Sequence, residues 1–281
     1  MDRPIFRAGR GTDRVTDTPL VSVAIPAFRA QDHIGRAIES VARSGLPLSE
    51  VELAIAPDDG RDYRAFVPSG FKVAQADSGP LETGVGIARN RAVAIATGEY
   101  LAYLDADDTW EAGYLSDALP MARDDGLVFS PTRVFKNGSL IMQTLGGAEI
   151  TFTDFAKTGA SHHAVVHRSR VGTFRDGPSQ DILQSVELLS LNGGRAKACR
   201  RGYEIRLTDG SVSRSLGFAE RVGLAYDEII DEILSGQTRV PEAMRGAAAD
   251  VFREKKILNE RFKTSGAHGF YEFMSEVLRQ N

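Results

Sequence analysis

The run Tyr100-Leu-Ala-Tyr-Leu104 leads directly into three carboxylates within four positions, Asp105, Asp107 and Asp108. A short run that is apolar at every position is a strand covered on both faces, as in the middle of a mostly parallel sheet. The acids then fall at its carboxyl end, the edge where open α/β sheets hold their ligands. Like charges this close raise one another's pKa unless a cation is present. Hard oxygen donors suit Mg²⁺ or Mn²⁺, which keep coordination positions open for phosphates. A plainer reading is a helix cap, which Asp favours; a cap requires one acid, and this segment has three.

The preceding residues repeat the theme. Val21–Ile25 is a β-prone run that Pro26 is expected to end. Ile34, Ala37, Ile38, Val41 and Ala42 form one face of a helix, with Asp32 as cap and Gly45 and Pro47 as the stop. Val51–Ala56 reads as a second strand running into Asp58-Asp59, residues 71–76 as a third, and Val85–Ala96 as a helix. Strand-helix alternation of this kind predicts a parallel, doubly wound sheet with right-handed crossovers. Two acidic sets then lie on one edge of that sheet.

Beyond the helix expected over 112–123 the pattern changes. Residues 127–135 are β-like, Asn137-Gly138 signals a hairpin, and 139–144 return. A short helix fits 151–158, a strand 163–167, and a helix Gln180–Leu191 with Ser179 as cap. From about Leu216 the chain reads as helical, with an apolar stripe at Phe270, Phe273, Met274, Val277 and Leu278.

A net charge of −4 argues against a dedicated nucleic-acid binder. Cys199 is the single cysteine, so neither an intrachain disulfide nor a cysteine metal cluster can form, which fits a reducing cytosol. No run of eighteen apolar residues spans a membrane, and the polar N-terminus lacks a secretory apolar core.

Four blocks, Val21-Ser-Val-Ala-Ile-Pro-Ala-Phe28, Asp58-Asp59-Gly60, Gly86-Ile-Ala-Arg-Asn90 and Gly98-Glu-Tyr-Leu-Ala-Tyr-Leu-Asp-Ala-Asp-Asp108, occur in order over residues 20 to 110. In order and spacing they resemble the family-two glycosyltransferases of GT-A fold. Gly172–Asp176, Gln180-Asp181 and Tyr203–Ser213 resemble that family's acceptor-side blocks more loosely. The resemblance implies an α/β fold with a mixed, mainly parallel sheet flanked by helices and a helical C-terminal extension. It divides the chain into a polar extension (1–19), a catalytic domain (20–215, donor half 20–125 and acceptor half 126–215) and a helical region (216–281).

It also implies an inverting, metal-dependent hexosyl transfer from a nucleotide-diphosphate sugar, of UDP type, to a saccharide or lipid-linked saccharide in surface polysaccharide or lipopolysaccharide synthesis. Donor contacts fall on Pro26, Phe28, Asp58, Asp59, Arg89 and Asp105. Asp107 of the Asp-x-Asp motif binds Mn²⁺ or Mg²⁺, with Asp105 as a further candidate ligand. A bound cation would stabilise the charge that grows on the leaving diphosphate. An inverting transfer needs a base for the acceptor hydroxyl. The resemblance puts it at Asp181, with Asp176 as the competing candidate; Gln180 stands where the family has Glu, and Pro57 and Arg61 flank the first acid pair where the family has an apolar residue and Ser.

Other features carry lighter expectations. Trp110 could stack on a sugar and Arg201 or Arg206 could meet a phosphate, against the alternatives of packing and solvated charge. The spacing of His162, His163 and His167 favours a structural role over metal ligation. The C-terminal stripe suggests a homodimer through the terminal helices, with peripheral contact at the inner face of the membrane left open and a cytoplasmic location expected. Two rivals stand beside transfer: a sugar nucleotidyltransferase, for which the residues after Ile25 are not Gly-rich, and a silent nucleotide-sugar-binding module.

Overall fold

The computed structural model describes residues 18–77, 79–144, 148–158, 163–208, 211, 213, 215 and 217–280. The expected N-terminal extension and His162 therefore lie largely or wholly outside the described residues.

Strands β1 (Val21–Ala27), β2 (Val51–Pro57), β3 (Lys72–Gln75) and β4 (Tyr100–Tyr103) lie parallel in the spatial order β3-β2-β1-β4. Helices α1 (Ile34–Ala42) and α2 (Val85–Ile95) connect them, while β2 reaches β3 through one 3₁₀ turn at Arg64–Phe66. Next come β5 (Thr109–Trp110), α3 (Tyr114–Asp125), β6 (Leu127–Phe129), β7 (Thr132–Lys136), β8 (Ser139–Gln143), β9 (Glu149–Thr151), α4 (Phe152–Lys157) and β10 (Ala164–His167). The chain continues with α5 (Gln180–Leu191), β11 (Arg195–Ala198), β12 (Tyr203–Leu207), α6 (Phe218–Ser235), α7 (Arg245–Ser265) and α8 (Phe270–Gln280). The main sheet has eight strands in the order β3-β2-β1-β4-β10-β6-β11-β9, with β10 antiparallel to both its neighbours. A smaller sheet has the order β5-β12-β7-β8.

Both faces of the parallel strands are covered, as their unbroken apolar runs require. Val21, Val23, Ile25, Ala102 and Leu104 pack with α1 and α3, whereas Ala24, Ala54, Leu101 and Tyr103 pack with α2, α5, α6 and α7. The last 60 or so residues thus supply core: Val222, Tyr226, Ile229, Ala248 and Phe252 belong to the same buried cluster as β4.

Several local expectations are corrected. β1 continues through Pro26 to Ala27, paired with Ala56 and Pro57 of β2. Its pairing with β4 has already stopped at Ala24–Tyr103, so the missing proline N–H breaks no bond on that side. The parallel strands therefore part at their carboxyl ends and open a crevice. His33 rather than Asp32 precedes α1, and Ser179 precedes α5 with φ 61° and no capping side-chain bond. Trp110 is a strand residue, 2 % exposed and stacked on Tyr114 with ring centroids 4.6 Å apart, so its ring has no face left for a sugar. The α8 stripe is likewise taken. Phe270, Phe273, Met274 and Val277 are buried against Val134, Met142 and Leu207 of the same chain. Each such side chain contributes roughly 1.5–3 kcal/mol by burial, so this face is not a free dimer surface.

Candidate active site

A cleft of about 690 Å³ opens where the parallel strands part, and its lining includes Pro26, Phe28, Asp58, Arg89, Asp105, Asp107, Asp108, His163, Asp181, Arg206, Tyr226 and Tyr271. It is continuous, through Phe28, Arg29 and Glu82, with a pocket of about 370 Å³ walled by Asp59, Arg61 and Leu81. Both acidic strand ends and Asp181, the first of the two candidate bases, thus face one space.

At the pocket end Asp59 is a builder. Its carboxylate accepts from the Arg29 amide (2.8 Å), the Tyr63 hydroxyl (2.9 Å) and the Arg61 amide (3.2 Å). Burial alone would raise its pKa, but these donors outweigh that and hold it below the ordinary carboxylate value. The same bonds fix Arg29 at φ 51°, which turns Phe28 outward, 44 % exposed, as a flat apolar wall. Asp58 is not free for a ligand. It is 3 % exposed, pairs with Arg91 (2.5 Å) and accepts from the Thr83 hydroxyl (2.6 Å) and the Gly84 amide (2.9 Å), tying the segment before α2 to the end of β2.

The three acids after β4 have separate fates. Asp105 pairs with Arg89 at 2.5 Å, and its amide donates to the Tyr203 hydroxyl at 3.0 Å. Arg89 is 3 % exposed; burial would push its pKa down, but the Asp105 and Asp181 charges overcome this and hold it above its usual value. Its Nε and Nη1 are buried with no hydrogen-bond partner among the described residues. Asp108 is 7 % exposed and accepts from the Arg206 amide (3.1 Å); burial, then Asp107 and Asp105, push its carboxyl well up. Asp107 faces the cleft and meets solvent. Partial desolvation, then the Asp105 charge, raise its pKa; since its carboxylate still reaches water, the neighbouring charge is the more durable of the two causes.

Among the described residues no group of three or more His, Cys, Asp or Glu is arranged to hold a metal ion. The donor set nevertheless fits a divalent cation that takes few protein ligands. Asp107 offers a solvent-facing carboxylate in a crowd of negative charge that a cation would relieve, and Mg²⁺ or Mn²⁺ fills its other positions from phosphate and water.

On the opposite wall Asp181 occupies the first turn of α5, half-buried, lining the cleft and making no hydrogen bond or ion pair among the described residues. Asp176 is exposed, caps its own turn through the Gly177 amide (2.7 Å) and does not line the cleft. Arg206 lines it too, but its guanidinium is committed to Glu204 (2.8 Å) and Thr109 (3.0 Å). Arg201 pairs with Glu111 outside the cleft lining.

Three residues contribute to the site in ways the sequence did not assign. Asn90 clamps the backbone of Phe174, donating to its carbonyl and accepting from its amide, both at 2.8 Å. Gly86 lets the same loop approach, since a Cβ there would sit 2.3 Å from the Arg175 carbonyl oxygen. The Gly-x-x-Arg-Asn spacing was the available signal. His163 stacks on Tyr203 with ring centroids 3.6 Å apart; burial pushes its pKa down to about 4, against the Asp105 and Asp181 charges, so it is neutral. Nothing local in the sequence separates it from His167.

Residues 22–176 match the family described as Glycosyl transferase family 2. The chain belongs to glycosyltransferase family 2. It is 27 % identical over 145 residues to WfgD of Escherichia coli, a UDP-Glc:α-D-GlcNAc-diphosphoundecaprenol β-1,3-glucosyltransferase, covering 50 % of this chain and 56 % of that one. The chain therefore spans about half the length of that relative. In fold it is similar to the S. aureus TarS fragment 1–349 solved with UDP-GlcNAc, at TM-score 0.61, 18 % identity and coverage of 87 % and 73 %. It is similar also to the mannosyltransferase PcManGT of Pyrobaculum calidifontis solved with GDP-Man and Mn²⁺, at TM-score 0.52, 13 % identity and coverage of 94 % and 79 %. The mixed sheet with flanking helices is thus a GT-A fold, and this family-two member keeps its helical C-terminal region packed on that sheet. Among the described residues no helix is long and apolar enough to cross a membrane.

Proposed function

We propose that this protein is an inverting glycosyltransferase that moves a hexose from a nucleotide diphosphate, UDP in the first instance, to a hydroxyl of a saccharide or lipid-linked saccharide in polysaccharide synthesis. The observation that carries the reading is one cleft bearing a solvent-facing Asp107 on one wall and an unpartnered Asp181 on the other. The UDP-sugar donor and lipid-linked acceptor named for WfgD support the substrate classes, and PcManGT's Mn²⁺ supports a metal.

On this reading the base stacks on Phe28 while Asp59 holds that wall in place. Arg89, with unpaired buried donors, binds oxygens of the donor beside Asp105. Asp107 would hold Mn²⁺ or Mg²⁺, which supplies Lewis-acid neutralisation of the leaving diphosphate. Asp181 takes the proton of the attacking hydroxyl as the bond to the sugar C1 forms on the face opposite the departing diphosphate. Asp181 sits in the first turn of α5, facing the cleft, so its carboxylate is placed to receive that proton as glycosyl transfer proceeds.

The test is nucleotide release and product formation with a panel of UDP- and GDP-sugars, with and without Mn²⁺. Asp181→Asn should cut transfer by about 10²-fold or more with nucleotide binding unchanged. Full transfer by this variant would remove Asp181 from the mechanism. Release of pyrophosphate instead of nucleoside diphosphate would favour the nucleotidyltransferase.

A further inference from the structure

The match to the family stops at residue 176, yet part of the cleft wall comes from α6 and α8, far beyond it. Phe218, Val222 and Tyr226 reach the cleft from α6, and Phe270 and Tyr271 from α8. We propose that Tyr271, backed by Tyr226, forms the subsite that binds and orients the acceptor saccharide against Asp181.

Three observations support this assignment. First, Tyr271 is rigidly mounted. Phe273, Met274 and Val277 are buried beneath it, Glu272 pairs with Lys136 at 3.0 Å, and the Ser275 hydroxyl donates to the Ile141 carbonyl at 2.6 Å. The Tyr271 ring itself rests edge-on against Phe270, with centroids 6.1 Å apart. A helix bound this firmly presents its cleft-facing residue in one place. Second, the Tyr271 hydroxyl makes no hydrogen bond with the described residues, although the side chain is not exposed and lines the cavity. Third, the Tyr271 hydroxyl lies in the field of Asp181 and, less strongly, of Asp108 and Asp105, between the two acidic walls and nearer in effect to the base. Burial and then those charges hold the phenol protonated, so it is a hydrogen-bond donor at any working pH.

A protonated phenol on an apolar ring suits a sugar, which presents a C–H face to the ring and hydroxyls to the tip. With Asp181 accepting the proton of one acceptor hydroxyl, Tyr271 holds a neighbouring oxygen of the same ring and limits which hydroxyl can reach the base. This rests on Asp181 being the base in the reading above. It also gives the C-terminal helices a part in acceptor choice.

The test uses the full chain saturated with UDP, titrated by ligand-observed NMR with the methyl α- and β-glycosides of glucose, galactose and N-acetylglucosamine. UDP binding is measured separately by calorimetry. Wild type should bind at least one glycoside, and Tyr271→Phe should weaken it by about five-fold, the effect of one neutral hydrogen bond. Tyr271→Ala should weaken it further, with UDP affinity and melting temperature of the Phe variant unchanged. An equal loss of UDP affinity would move Tyr271 to the donor site and overturn the proposal. So would unchanged glycoside binding, or binding of none of the probes by wild type. Failure of wild type to bind UDP would instead count against the donor reading, while a Tyr271-dependent glycoside signal would still support the subsite.

Discussion

Replacing Asp105 by Asn should destabilise the protein more than replacing Arg89, the larger and more deeply buried partner. Arg89 is 3 % exposed, and of its guanidinium nitrogens Nη2 has the Asp105 bond while Nε and Nη1 have no hydrogen-bond partner among the described residues. Asp105→Asn removes the counter-charge and leaves a buried cation supported by the more distant Asp181 and by the face of the Phe174 ring, 5.6 Å away. Removing one partner of a buried pair costs about 3–5 kcal/mol; since 29 % of the Asp105 side chain is exposed and part of its charge is already screened, roughly 2–4 kcal/mol is appropriate. For a chain of this size that is a fall in melting temperature of about 3–7 °C. Arg89→Met takes the buried charge away and leaves a carboxylate that can turn to water, so its cost is nearer one charged hydrogen bond, about 1.5–3 kcal/mol. The double variant should then melt above Asp105→Asn alone. Thermal melts in chelator, free of nucleotide, measure all three. If Asp105→Asn melts within about 1 °C of wild type, or the two losses simply add, the dependence of Arg89 on Asp105 is refuted.

Asp108→Asn should stabilise the chelated protein near neutral pH. Burial and the two neighbouring acids raise the folded pKa of Asp108 well above 3.8, so the folded state binds the extra proton between that value and the folded one. The favourable contribution is therefore present below 3.8 and lost as pH rises through the folded pKa. The advantage of the Asn variant should grow over that window and vanish below it, in melts run as a pH series. Asn90→Ala unclips both backbone groups of Phe174 and should cost about 2 kcal/mol or more. It should slow transfer far more than it weakens UDP binding, as kinetics beside calorimetry would register.

The parallel strands were legible because burial on both faces leaves an unbroken apolar run, and Tyr100–Tyr103 is buried at every position. The acids at the strand ends were legible for the same reason, since charge cannot continue such a run. What they do there was less so. Asp58 and Asp59 are neighbours in sequence, yet one clamps Arg91, 33 residues on, and the other turns Arg29, 30 residues back. No local pattern encodes either partner. Trp110 after three acids reads as a turn leading to a helix, but two residues of β5 pair it with Tyr203 and carry its ring into the core. The α8 stripe was visible as apolar; its occupant was not, because the strands it covers, β7, β8 and β12, are distant from it in sequence.

The Gly86–Asn90 block departs most from local rules, and the reason is positional. α2 has little of the one-sided apolar patterning of a surface helix: Arg89 is buried while Val85 is 44 % exposed. Its polar residues point inward because two walls of the cleft are fastened to it. Gly86 and Asn90, four residues apart on one face, hold the loop at Phe174–Arg175 that leads to Asp181. Arg89, on the adjoining face, holds Asp105. A single turn of helix thus sets the distance between the candidate base and the donor acids. A conventional amphipathic α2 would pack as well or better and would leave that distance to two unconnected loops, so the local violation is where fold and proposed chemistry meet.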